Sequence, residues 1–153
     1  METKTIQQTA TFRASPRDVF EMLMDAKKHA SLSGEPAKIS RRIGGSFTAW
    51  GTHISGFNLA LKPGQKIVQA WRARDWWPDH YSIAIFDFAP VKTGTRLEFT
   101  QIGVPSHRYD GHCRGWRMAY WTPMKEILEQ GAVGGETRAN VAAARKRIRS
   151  GNF

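Results

Sequence analysis

The residues able to do covalent or metal chemistry in this sequence are few, and their spacing does not favour it. The five histidines, His29, His53, His80, His107 and His112, include no pair at i, i+4, the spacing that sets two imidazoles on one helix face. Nor is there a Cys-x-x-Cys partner, so neither a metal nor another cofactor is expected, and surface or supporting roles are the default for these rings. His112 and Cys113 are adjacent, but neighbours on a helix point about 100° apart and cannot act as nucleophile and base. Asp75, Asp79, His80, Asp87 and Glu98 could serve general acid and base catalysis. Each also fits a turn or a solvated strand face, and no two carboxylates stand out as a pair. What the sequence offers in quantity is apolar surface, with six Trp, eight Phe and three Tyr in 153 residues. Such rings either fill a core or enclose a flat apolar molecule.

The elements that would position those rings follow from periodicity. Residues 3 to 14 alternate, with Ile6, Ala10 and Phe12 on one parity, as in a strand with one buried face. Ser15-Pro16-Arg17-Asp18 is a helix start, with Ser15 as cap, Pro16 in the first helical position and Asp18 at the positive end. Val19, Phe20, Leu23 and Met24 form its apolar stripe, and a second short helix is expected from Ala26 to Leu32, stopped by Ser33-Gly34-Glu35-Pro36. From Lys38 to Val104 short β-prone runs alternate with Gly, Pro and Asp turns, giving strands near 38–43, 46–50, 55–61, 66–74, 81–88 and 96–101. Trp116, Tyr120, Met124 and Ile127 then recur on one helical face, and Gly131 ends that helix. The expected class is α+β, a curved antiparallel sheet of about seven strands with two short helices and one long helix packed across it.

Charge separates the two ends of the chain. The net charge is +10, and residues 138–153 hold five basic side chains and no acid, which leaves +5 over residues 1–137. One globular domain over 1–131 and a basic extension over 132–153, with Val141, Ala144 and Ile148 at helical spacing, are expected. The extension reads as a solvated segment, a contact to nucleic acid or anionic lipid, or a helix packing on a partner. Its basic residues lack interleaved aromatics, so nucleic acid is not the favoured partner. No run approaches the roughly 18–20 apolar residues of a membrane span. The single cysteine fits a reducing compartment, and a cytoplasmic location is expected.

Several short stretches, in order, resemble a known family. They are Phe12-Arg13-Ala14-Ser15-Pro16-Arg17-Asp18-Val19-Phe20, Gly44-Gly45-Ser46-Phe47, Ile54-Ser55-Gly56 and Lys66-Ile67-Val68-Gln69-Ala70-Trp71-Arg72. Further on come Trp77-Pro78-Asp79-His80-Tyr81-Ser82, Gly94-Thr95-Arg96-Leu97, Gln101-Ile102-Gly103-Val104-Pro105, Gly115-Trp116 and Tyr120-Trp121. Together they resemble the activator-of-heat-shock-chaperone-ATPase homologue-like branch of the START and birch-pollen-allergen superfamily, over residues 6–130. The resemblance implies the helix-grip fold and a cavity between sheet and long helix. The eukaryotic activators carry a separate N-terminal domain that this chain does not match, so the resemblance implies ligand binding more readily than full ATPase stimulation.

Under that register Leu97 and Phe99 face inward, as do Ser82, Ala84, Phe86 and Phe88. Phe47, Trp50, Trp71, Trp76, Ala84, Phe86, Trp116, Tyr120 and Met124 would line the cavity, with Tyr81, Arg72 or Tyr120 orienting a ligand. Arg72 would anchor a ligand carboxylate, or pair with Asp75 or Asp87. Ile83 and Ile85 would then sit on the outer face, to be covered by a homodimer partner or the C-terminal segment, unless the register slips by one residue. The expected function is non-catalytic binding of a small hydrophobic or aromatic ligand. The alternative is a co-chaperone-like module that binds the ninety-kilodalton heat-shock chaperone, and the third is a cyclase- or hydrolase-like enzyme.

Overall fold

The computed structural model describes residues 1–130. The basic extension and its expected helix lie outside the described residues. β1 (Thr3–Phe12) buries Ile6, Ala10 and Phe12 as the alternation predicts. α1 (Pro16–Met24) starts where expected, Ser15 Oγ accepting the Asp18 N–H at 3.1 Å. α2 (Ala26–Ser33) follows at once, its first turn capped by Asp25, whose Oδ1 accepts the Lys28 N–H at 3.0 Å. It ends at Gly34, whose φ of 74° is left-handed.

The strands β2 (Lys38–Ile39), β3 (Ser46–Ala49), β4 (Ile54–Lys62), β5 (Lys66–Ala73), β6 (Ser82–Val91) and β7 (Gly94–Pro105) complete one antiparallel sheet. Its order is β1-β7-β6-β5-β4-β3-β2, so the first strand closes onto the last. β2 is shorter than the six residues expected. Asn58 Nδ2 donates to the carbonyls of Ser40 and Arg42, and the chain turns at Gly44, drawing residues 40–45 out of the ladder. A bulge between Asn58 and Ala60 gives β4 one extra residue, Leu59, and turns it to solvent.

The inner face carries Leu97, Phe99, Ser82, Ala84, Phe86 and Phe88, all buried, in the expected register. Across it runs the C-terminal helix. It opens with a 3-10 turn (Ser106–Arg108), continues as α3 (Tyr109–Gly115), widens into a π-helical segment (Trp116–Trp121) and closes as α4 (Thr122–Leu128). Pro123 accounts for the widening. It has no N–H to donate and its ring crowds the carbonyl four residues back, and just before it the Thr122 N–H reaches five residues back to Arg117. The five-residue step stacks Trp121 on Trp116, ring centroids 5.5 Å apart and 18° from parallel. An α-helical reading of the spacing places only Trp116, Tyr120, Met124 and Ile127 on that face. This is the helix-grip arrangement. No helix among the described residues is long and apolar enough to cross a membrane.

Candidate functional site

Trp50, Trp71, Trp76, Trp116 and Tyr120 meet between sheet and helix, in one buried cluster with Phe47, Ala84, Phe86 and Met124. Trp116 lies 4.4 Å from Phe99, 4.7 Å from Tyr120 and 5.4 Å from Trp71, centroid to centroid. The indole N–H groups are anchored individually. Trp116 Nε1 donates to Gln101 Oε1 at 2.8 Å, and Gln101 Nε2 passes the chain to Ser82 Oγ, which donates to the Trp71 carbonyl. Trp121 Nε1 donates to Gln8 Oε1 at 2.7 Å and Trp76 Nε1 to His112 Nε2 at 2.9 Å.

A further chain fixes its own proton order. His29 Nδ1 lies 3.0 Å from the Leu23 carbonyl, which can only accept, so Nδ1 carries the proton and Nε2 is an acceptor. The Tyr120 hydroxyl therefore donates to His29 Nε2 at 2.7 Å and accepts the Trp50 N–H at 3.0 Å. This chain ties α2, the π-helical segment and the end of β3, and it holds Trp50 in a left-handed backbone conformation at φ 54°. Burial pushes the His29 pKa down, against the smaller pull of the Leu23 carbonyl, and pushes the Tyr120 hydroxyl up. Burial, with the Arg108 charge adding, lowers His112 to about 3. Both rings are neutral and buried, so of the two expected roles they take the supporting one, holding Tyr120 and Trp76, and not the surface one.

The space left inside is small. A cavity of about 10 Å3, room for about one water molecule, is lined by Phe47, Trp71, Phe86, Trp116 and Tyr120 among the expected residues. His29 and Gln69 also line it, and sequence reasoning did not find them as lining residues. Gln69 had a readable signal, a polar residue at an inward position of β5 between Ile67 and Trp71. Asn58 Nδ2 serves two carbonyls, so its Oδ1 takes the Gln69 Nε2 at 3.2 Å. Gln69 Oε1 is thereby left as an acceptor on a cavity-lining side chain. Trp50, Trp76, Ala84 and Met124 are buried beside this space without lining it.

Two expected residues lie elsewhere. Tyr81 shares the parity of Ile83 and Ile85, so it sits on the outer face, 39% exposed, with its ring 5.5 Å from Phe57. Arg72 also faces outward and is committed to the β5–β6 loop. Its Nη2 donates to the carbonyls of Trp76 and Trp77 and its Nε to that of His80, in place of a bond to Asp75 or Asp87. Asp75 instead pairs with Arg108 at 2.8 Å, and Asp87 with Lys66 at 3.4 Å. Among the described residues no three His, Cys, Asp or Glu side chains come together as a metal-binding group.

Comparison with known proteins agrees with this architecture. The family model described as activator of Hsp90 ATPase homolog 1-like protein matches residues 13–129. A Dictyostelium discoideum protein named activator of 90 kDa heat shock protein ATPase homolog is 30% identical over 116 residues, covering 75% of this chain and 30% of its own. The chain spans about a third of the length of the curated relatives it matches. Among solved structures, an HSP90 activator from Plasmodium falciparum is 26% identical with a TM-score of 0.72, over 82% of this chain and 95% of that one. The Aha1 dimer from Colwellia psychrerythraea shares the fold at 15% identity and a TM-score of 0.71, over 84% and 98% of the two chains. With the model matching over three quarters of its length, the chain belongs to the activator of Hsp90 ATPase homolog 1-like family.

Proposed function

We propose that this chain is a non-catalytic binding module that acts through its surface on a partner protein, the ninety-kilodalton heat-shock chaperone. The observation that carries the reading is the filled interior, where the pocket lined by Trp71, Trp116 and Tyr120 between sheet and helix measures about 10 Å3. Drug-sized ligands occupy pockets of about 300–1,000 Å3, so recognition falls to the outside. The names of the Dictyostelium relative and of the Plasmodium structure supply the partner class. Titration of the purified chain into the full-length chaperone, followed by calorimetry, tests it. Saturable binding is the expected result, with or without a change in ATPase rate, because the chain covers only part of the activators it resembles. Absence of binding at low salt overturns the reading.

A second reading, the small apolar ligand, is favoured by one observation, the acceptor Gln69 Oε1 on a cavity-lining residue among aromatic walls. A guest there would bring a hydrogen-bond donor and would have to displace the rings that now fill the space. Native mass spectrometry of the purified protein checks this reading. A retained apolar molecule with such a donor supports it, and a bare protein whose melting temperature no aromatic compound raises removes it.

A further inference from the structure

We infer that the outer face of β4 to β7 is the docking surface, and that it takes a protein partner presenting apolar side chains inside a rim of carboxylates. This rests on the surface-acting reading above and adds to it the place and the chemistry of contact. The sheet register lines up two apolar rows on that face. One runs Phe57, Ala70, Ile83, Ile102 and the next Ala60, Val68, Ile85, each residue directly opposite its neighbour. Tyr81 extends the first row at its side, packed on Phe57 and lying over the Arg72 guanidinium at 5.9 Å. Phe57 is 38%, Leu59 41% and Ile102 48% exposed.

An antiparallel sheet with one face in water ordinarily turns polar side chains outward. This sheet does so elsewhere. The outward positions of β1 are Gln7, Thr9 and Thr11, and their partners on β7 are Thr100, Glu98 and Arg96. On the sheet the rule is broken in this band, so the exposed apolar residues of β4 to β7 form one patch, apart from Ile43 in the loop before β3.

Charge at the edges of the band selects the partner. The outward row Lys62, Lys66, Asp87, Glu98 closes one end, and its acids are already used. Asp87 pairs with Lys66 at 3.4 Å, and Glu98 pairs with Arg96 at 3.1 Å and accepts the Thr9 hydroxyl at 2.8 Å. Lys62 at that end and Arg74 at the other, both exposed, have no carboxylate within ion-pair distance among the described residues. Against these two cations stands, among the described residues, one unmatched carboxylate, Asp79 in the β5–β6 loop, so the rim carries an excess of positive charge, on a chain of net charge +10. A second copy would bring the same cations and the same net charge, whereas carboxylates around an apolar contact complement both.

The test compares binding of the full-length ninety-kilodalton chaperone to the intact chain, to Ile102→Lys and to Lys62→Glu/Arg74→Glu, with sedimentation of each protein alone. Ile102 is half exposed, so its replacement leaves the core intact, and urea unfolding verifies this. The expected result is about tenfold or greater weakening by Ile102→Lys, as for loss of one apolar contact side chain, and, in the charge-reversed variant, weaker binding whose salt dependence is lost or reversed. If the wild type binds and both variants bind equally well, the location is wrong while the surface-acting reading survives. If the wild type fails to bind, that reading and this inference fall together. A wild-type dimer that Ile102→Lys splits into monomers makes the occupant a second copy and also overturns the inference.

Discussion

Replacing Tyr120 by Phe removes one oxygen and leaves two buried groups without their partner. The hydroxyl donates to His29 and accepts from Trp50, and both neighbours are buried. Each orphaned group costs about 1–3 kcal/mol, so Tyr120→Phe should lower the urea-unfolding free energy by more than the loss of one ordinary surface hydrogen bond. An unchanged midpoint would mean that the chain is not intact in solution. Acid should act on the same residue scale. His29 and His112 are held neutral, their folded pKa values lying below the unfolded value of 6.5. Their contribution is complete well above pH 6.5 and declines as pH falls through it, because the unfolded rings take up protons there that the buried rings refuse. Carboxylates enter only at lower pH, so the interval from about pH 6.5 to 5 isolates the histidines. In His112→Gln the amide oxygen can still accept the Trp76 N–H, and the slope in that interval should become shallower. A stability independent of pH there would contradict the buried, neutral assignment.

Among the elements, the strands were readable because their environment is simple. Alternation, taken in the register that the family resemblance implies, assigned the inward faces of β6 and β7 and turned Ile83 and Ile85 outward, since a strand with one buried face has a period of two residues. What was unreadable depends on contacts across the fold. Nothing near Leu59 marks the bulge, which arises from how β4 matches β5. Trp121 enters the aromatic cluster through the π-helical register, and Tyr81 and Arg72 were assigned to the cavity although their parity points them outward. His29 becomes a lining residue only because α2 packs on the C-terminal helix. The pairing of β4 can be tested through its glycine. Gly56 lies between Phe47 and Trp71 on neighbouring strands, and a Cβ there would run into the Ala70 backbone and come within 2.9 Å of Phe47 Cζ. Gly51 has open space around the same position and only its left-handed φ of 69° to lose. Gly56→Ala should therefore cost about 3 kcal/mol, from overpacking, and Gly51→Ala about 1–2 kcal/mol, from backbone strain alone. Equal costs in urea unfolding would show that the sheet yields around Gly56.

At the scale of the whole molecule, the family match begins at Arg13, just past β1, although the fold depends on that strand. β1 pairs with β7 along nearly its whole length and puts Ile6, Ala10 and Phe12 into the core. Gln8 adds a polar tie, with Nε2 donating to the Cys113 carbonyl and Oε1 accepting the Trp121 N–H, so β1 fastens both the sheet and the helix across it. Losing three buried apolar side chains alone removes roughly 1.5–3 kcal/mol for each large one, a substantial part of the 5–15 kcal/mol that holds a domain of this size together. It would also leave β7 as an exposed edge and Trp121 without an acceptor. The segment 13–130, which contains the family-matched region, should therefore lack a cooperative thermal transition, whereas 1–130, which lacks only the basic extension, should melt like the full chain. Circular dichroism of the two truncations beside the intact protein decides the matter. A cooperative melt of 13–130 would show that the sheet closes without its first strand. A lowered melting temperature for 1–130 would mean that residues 131–153 stabilise the domain.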